Sequence, residues 1–232
     1  MSSDMTSKSA LSPSSARQMR ASAQGYKKGE ETRRRILSAA SEIFGERGFA
    51  SATTRMIAQK AETNLPALTY YFGNKEGLYR ACADEIVADY HKSVGQLAEQ
   101  IAAMLATNMD AKTAQTLLFD LLSNLARFLL TSPDTESRAL FIQHEMASPG
   151  AAFEILYSQL WNPGIALTAM LIRAASNGKI DERAAWVRAV MMIGSLTSLI
   201  SGRPIITRTA GDHDLEILVL DALNDQILSL AR

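Results

Sequence analysis

Thr53–Lys75, TTRMIAQKAETNLPALTYYFGNK, is the stretch whose reading decides the fold. It reads as two short helices joined by a tight turn. The pair Thr53-Thr54 suits a helix start, because a hydroxyl there accepts a bond from an orphan backbone N–H. Ile57, Ala58 and Ala61 fall on one face of the helix that follows. Glu62-Thr63-Asn64 forms the turn. Asn64 is a good N-cap for a second helix, Leu65 to Phe72, with Pro66 in its first turn, where a missing N–H costs nothing. Gly73 can end that helix by taking φ > 0, and Asn74 can cap a third.

A helix of about two turns is marginal in water, and one showing Leu, Ala, Thr, Tyr and Tyr outward is poor at stabilising itself. Helix, short turn, short helix is the helix-turn-helix arrangement, whose second helix enters the DNA major groove. The pattern alone fits an ordinary corner between two helices about as well, so the rest of the chain has to decide.

The chain has 232 residues, 47% of them apolar, enough for a substantial core. Ala and Leu are plentiful and period-two alternation is scarce, which predicts an all-α protein. Net charge is zero but unevenly placed. Residues 1–80 hold 13 Lys/Arg against 7 Asp/Glu, and residues 81–232 hold 11 against 17. A basic N-terminal third suggests an anionic partner at one end only. The single cysteine, Cys82, excludes an internal disulfide and a Cys-based metal site, and fits a reducing, cytoplasmic setting. The most apolar stretch, Ala189–Ile200, falls short of the ~20 residues a bilayer span needs, so no membrane partner is expected.

Residues 1–26 read as a disordered arm carrying Arg17 and Arg20, with Lys27 and Lys28 just beyond or at its end. Glu30 to Arg47 is a helix with Ile36, Ala39, Ala40, Ile43 and Phe44 on one face, stopped at Gly48. Arg33, Arg34 and Arg35 fan around it and cannot all share one surface. From Lys75 a longer helix presents Leu78, Ala81, Cys82, Ile86 and Tyr90. The expected organisation is therefore a disordered arm (1–26), a three-helix DNA-binding unit (27–76) and a larger helical domain (77–232), with the boundary inside a helix. Helical patterns follow at Val94–Ala106, Ala114–Leu130, Glu136–Met146, Ala151–Ser176 (kinked at Pro163-Gly164), Glu182–Ser201 and Leu215–Ala231. The segment from Ile205 to His213 has no clear form.

Residues 32–82 resemble the DNA-binding domain of TetR-family transcriptional regulators. The resemblance rests on Ile36, Ala39-Ala40, Phe44, Gly48, Thr53-Thr54, Ile57-Ala58, Ala61, Leu68, Tyr71-Phe72, Lys75-Glu76 and Leu78. Two departures stand out: Glu62 where the family usually has a turn glycine, and Thr69 in place of a tyrosine. The segment Phe141–Gly150, FIQHEMASPG, looks like the C-terminal domain of the CerR/YbiH-type branch. The resemblance implies a ligand-responsive regulator, most often a repressor, that binds a palindromic operator in double-stranded DNA as a homodimer. Thr53, Thr54, Arg55, Leu65, Pro66, Ala67, Thr69, Tyr70, Tyr71 and Lys75 are then expected at the DNA. Arg55 can pair with guanine, the apolar Leu65-Pro66-Ala67 can meet thymine methyls, and the hydroxyls and Lys75 can hold phosphates.

Glu182–Ser201 is apolar nearly all round, so it should be covered on two sides. Trp186, Val190 and Ile193, with Leu220, Leu223, Ile227 and Leu230 of the last helix, are the candidate dimer surface, forming a four-helix bundle with a second copy. Phe128, Phe141, His144, Glu145, Trp161, Met170, Arg173 and Met191 are candidates to line a small-molecule effector site. No phosphate loop, G-x-S-x-G or H-E-x-x-H motif occurs, so no enzyme and no cofactor is expected. His144-Glu145 and Asp212-His213-Asp214 are the only pairings suggestive of a metal, and no metal site is assigned. A metal-responsive regulator and a helical protein-interaction adaptor are the alternatives.

Overall fold

The computed structural model describes residues 13–105, 109–131, 135–211 and 214–231, and every regular element in them is helical. In chain order these are α1 (Pro13–Ser51), α2 (Thr54–Lys60), α3 (Leu65–Phe72), α4 (Lys75–Tyr90), a π-helical turn (His91–Gly95), α5 (Gln96–Leu105), α6 (Ala111–Thr131) and α7 (Thr135–Ala147). Then follow α8 (Phe153–Leu156), a second π turn (Tyr157–Trp161), α9 (Asn162–Ala175), α10 (Glu182–Ser201), α11 (Arg203–Ala210) and α12 (Leu215–Leu228), closed by a 3₁₀ turn (Ser229–Ala231).

The first helix is longer than its apolar pattern. The arm expected over residues 1–26 is helical from Pro13, and residues 1–12 lie outside the described residues. Low apolarity suggested disorder there. Yet Ala, Arg, Gln, Met and Lys are good helix formers, and proline suits a first turn. Gly48 interrupts α1 as expected, at φ 70° and ψ 170°, a conformation essentially reserved for glycine.

Side chains form two cores. The first gathers α1 to α4 around Ile36, Phe44, Ile57, Leu68, Leu78 and Tyr79, and takes in Phe141 of α7, with Ala152 and Leu156. The second packs α6, α9, α10 and α12 about Leu118, Leu122, Leu171, Met192 and Ile227. Members of the first core lie on both sides of the expected boundary at residue 76, since α4 contributes Leu78 to Val87 to it, and the second core begins at Val94. Through Tyr90, which packs against the second core, α4 touches both cores.

Among the described residues Glu62 is one of three non-glycine positions with positive φ, at 49°. Asn and Asp hold the other two, as Asn177 and Asp214, but the longer glutamate side chain, its carboxylate one methylene further out, gains little there. Glu62→Gly should therefore raise stability by about 1 kcal/mol, read as a higher urea midpoint at unchanged m-value.

Candidate nucleic-acid interface and internal cavity

The helix-turn-helix is built by local capping. The Thr53 hydroxyl accepts from Met56 N–H (3.2 Å), Asn64 Oδ1 from Ala67 N–H (2.9 Å) and Asn74 Oδ1 from Gly77 N–H (2.8 Å). Each cap satisfies a first-turn donor, typically stabilising its helix by about 1 kcal/mol. Ile57 and Ala58 sink α2 into the core, whereas Leu68 is the sole buried residue of α3. The rest of α3 is therefore surface. Thr53, Arg55, Leu65, Pro66, Thr69 and Tyr70 are exposed, Tyr70 by 83%, and Thr54, Ala67, Tyr71 and Lys75 are half-buried.

Neighbouring groups orient these side chains. Tyr70 and Tyr71 meet edge to face at 5.0 Å, and the Tyr71 hydroxyl lies against Gly29, where a Cβ would stand 3.3 Å away. Of the three successive arginines, Arg33 is turned to this side, 5.6 Å over the Phe72 ring. Lys75 Nζ stands 4.4 Å over the Phe49 ring and donates to the Ala50 carbonyl at 3.4 Å. Lys60 is paired with Glu42, which leaves Arg55 as the unpaired long cation of α2. Caps, hydroxyls and cations thus surround an exposed, mainly apolar α3.

A cavity of about 360 Å³ lies among α4, α6, α7, the second π turn, α9 and α10. Five aromatic residues, Tyr90, Phe128, Phe153, Tyr157 and Trp161, stand in its wall among a larger number of aliphatic side chains. No charged side chain lines it. Burial pushes the Tyr90 phenol above its ordinary value, so it is a neutral hydroxyl at pH 7. Of the effector candidates, only Phe128 and Trp161 line this cavity. Met170, Arg173 and Met191 point outward from α9 and α10. Phe141, His144 and Glu145 sit on the face of α7 turned away from it. Phe141 packs 4.4 Å from Tyr79, and His144 lies beside Gly48. Glu145, 2% exposed, accepts from the Tyr79 hydroxyl (2.8 Å) and Gly150 N–H (3.0 Å).

That arrangement also removes Glu145 as a metal ligand, and His213 lies outside the described residues. No group of three or more His, Cys, Asp or Glu side chains converges among the described residues. Burial pushes the Cys82 thiol up to about 12, so it is a protonated core group rather than a nucleophile or ligand.

The dimer candidates divide. Val190 is exposed by 51%, and Trp186, Ile193 and Leu220 are half-buried. Leu223, Ile227 and Leu230 are inside this protomer and have no surface to give a partner. The free apolar groups of the last helix are Ile217, Leu218 and Leu228. By length and composition alone α10 is apolar enough to cross a bilayer, although its most apolar part, Ala189–Ile200, falls short of that length. One of its faces packs through Ala185, Ala189, Met192 and Leu196, and the other exposes Val187, Val190 and Met191.

A helix-turn-helix joined through a bridging helix to a larger helical domain is the architecture of a DNA-binding regulator. The chain belongs to the TetR family of bacterial transcriptional regulators. Residues 36–82 match the model of bacterial regulatory proteins of the tetR family, and residues 114–231 match the C-terminal domain of the HTH-type transcriptional dual regulator CecR. CecR of Shigella flexneri is 32% identical over 185 residues, covering 79% of this chain and 82% of that protein. Among solved structures, a TetR-like regulator from Rhodococcus sp. RHA1 aligns over 86% of this chain and 93% of its own, at 20% identity and TM-score 0.57. Bacillus subtilis FadR, solved with stearoyl-CoA, covers 85% of this chain and 98% of its own, at 16% identity and TM-score 0.55. The family consists of transcriptional regulators rather than enzymes.

Proposed function

We propose that this chain is a repressor that binds a palindromic operator as a homodimer and is released by a small molecule held in the 360 Å³ cavity. The observation that carries the reading is the double role of α7. Ile142 and Met146 line the cavity, while Phe141 and Glu145, one residue earlier in each turn, grip the DNA-binding unit at Tyr79. Tyr79 also meets Phe44 at 4.8 Å and Phe49 at 4.9 Å, and Phe49 lies under Lys75. A continuous run of packed side chains therefore joins the cavity to a cation at the DNA face. A ligand that pushes on Ile142 and Met146 shifts α7, and so the setting of α4 and α1. It acts only insofar as it binds the non-DNA-binding arrangement better.

A dimer follows from the exposed stripe of α10. Val187, Val190 and Met191 leave an apolar band open to water, which a symmetry-related copy would cover. Two reading helices then address two half-sites about one helical turn apart. In the reading unit, Arg55 and Lys75 supply cations, Thr53, Thr54, Thr69, Tyr70 and Tyr71 hydroxyls, and Leu65, Pro66 and Ala67 an apolar surface for thymine methyls.

The test is a gel shift on operator fragments selected from genomic DNA, repeated across salt concentrations. Binding should weaken steeply with salt, because phosphate contacts release counterions. Tyr70→Ala should weaken operator binding about tenfold with little loss of stability, since the ring is 83% exposed. Arg55→Ala should lose about 1–3 kcal/mol on operator sequence and much less on random DNA. Binding indifferent to salt and sequence defeats the reading. A promoter–reporter assay separates release from activation, a distinction worth making because the Shigella relative is named a dual regulator.

A further inference from the structure

We propose that the cavity is completed by the second protomer, so that its ligand, an uncharged and largely apolar molecule, binds the dimer in preference to the isolated chain. The inference rests on the dimer reading above and adds what the partner does at the site. Three residues that line the cavity are also exposed: Met146 by 58%, Tyr157 by 45% and Val190 by 51%. They mark its mouth, where α7, the second π turn and α10 meet. Val190 belongs at the same time to the outward apolar stripe of α10, with Val187 and Met191.

Cavity and stripe share the side chain of Val190. Gly194 lines the cavity, and a Cβ built there would meet nothing within 4 Å. At Val190 and Gly194 the boundary of the cavity and the surface offered to a partner are therefore the same stretch of helix. A copy packed on that stripe lies across the mouth and supplies the missing side. In the single protomer an apolar ligand would keep part of its surface in water. In the dimer that surface is buried, which favours binding. By reciprocity, the ligand tightens the dimer by the factor through which the dimer tightens the ligand.

The lining sets the ligand's chemistry. With no charged side chain on the wall, a charged ligand would lose its hydration without a counter-ion. The aromatic rings suit a flat apolar body. The half-buried Tyr90, its hydroxyl beside Gly164, and the lining residues Tyr157, Trp161 and Thr197 carry groups that can hydrogen-bond polar atoms on it.

Nile red, an uncharged apolar fluorophore, is a suitable probe. It is titrated against wild type and against Val187→Asp and Met191→Asp, with sedimentation giving the assembly state and circular dichroism the fold. Val187 and Met191 are exposed and do not line the cavity, so both variants should fold. The expected result is a wild-type dimer that binds the probe at least about tenfold more tightly than either monomeric variant. Wild-type affinity should also fall on dilution below the dimer dissociation constant. Ile165→Trp, which fills the cavity from α9, should abolish binding while leaving the dimer intact. Equal affinity in dimer and monomer overturns the proposal, as does a monomeric wild type or a probe that persists in Ile165→Trp. A monomeric wild type would sink the homodimer reading as well, whereas equal affinity in dimer and monomer overturns this proposal alone; DNA binding itself is read separately by the salt-dependent gel shift.

Discussion

Glu145→Ala is expected to cost about 3 kcal/mol of stability and to uncouple the effector from DNA release. The carboxylate is 2% exposed and accepts two donors, the Tyr79 hydroxyl and Gly150 N–H. Its removal leaves the buried Tyr79 hydroxyl without an acceptor, at about 1–3 kcal/mol, and empties a packed site, whereas the exposed Gly150 N–H can turn to water. Burial and the neighbouring Glu145 raise the Tyr79 phenol well above its ordinary value, so Tyr79 keeps its proton and cannot shed the orphaned donor by ionising. Glu145→Gln should cost less, because one amide oxygen still accepts a bond while the amide N–H₂ faces a donor. Urea denaturation ranks the three proteins. The functional readout is the ratio of operator affinity with and without effector. That ratio should collapse toward one in the alanine variant, and Tyr79→Phe should share part of the loss. A variant as stable and as responsive as wild type would place the coupling elsewhere.

Gly45→Val should be at least as severe. A Cβ at Gly45 would lie 2.4 Å from the Ser137 carbonyl oxygen, which is backbone and cannot rotate aside. The helices α1 and α7 approach so closely only because position 45 has no side chain. Overpacking of this kind typically costs 1–3 kcal/mol and occasionally more, and here the strain falls on the seam between the DNA-binding unit and the effector domain. The expected outcome is a loss of about 3 kcal/mol in urea denaturation, with operator binding weakened even where the protein stays folded. Gly45→Ala, which introduces the same Cβ, should show most of the effect. A wild-type urea midpoint in both variants would mean that the seam adjusts freely.

The reading unit was legible from the sequence because its determinants are local. Thr53, Asn64 and Asn74 cap helices that begin one or a few residues later, and Gly48 and Gly73 take positive φ where the pattern needs a stop. The cavity was not legible, because its wall comes from distant helices and a lining residue has the same apolar character as a core residue. The misplacement of Phe141 and Glu145 follows from this. On a helix, one residue is a rotation of about 100°, so the choice between 141/145 and 142/146 decides whether α7 presents one pair or the other to the cavity. Helical periodicity finds the stripe but not the neighbour it faces. The same ambiguity put Leu223, Ile227 and Leu230 on the dimer surface, whereas they fill the protomer's own core. Residue chemistry did give one warning. A carboxylate next to aromatic groups in a packed helix must find donors, and Glu145 found them at Tyr79 and Gly150.

The π turn at Tyr157–Trp161 gives the cavity room to evolve. A π turn is an α-helix carrying one extra residue, absorbed as a bulge while the helix on either side keeps its path. Deleting one residue from 157–161 would restore an α turn and swing the rings before and after it by about 100° relative to each other. Tyr157 and Trp161 both line the cavity, so such a change would redraw its aromatic wall. The frame that carries α7 and the reading helix would be spared. Descendants of this chain could thus exchange the molecules they answer to by gaining or losing a single codon.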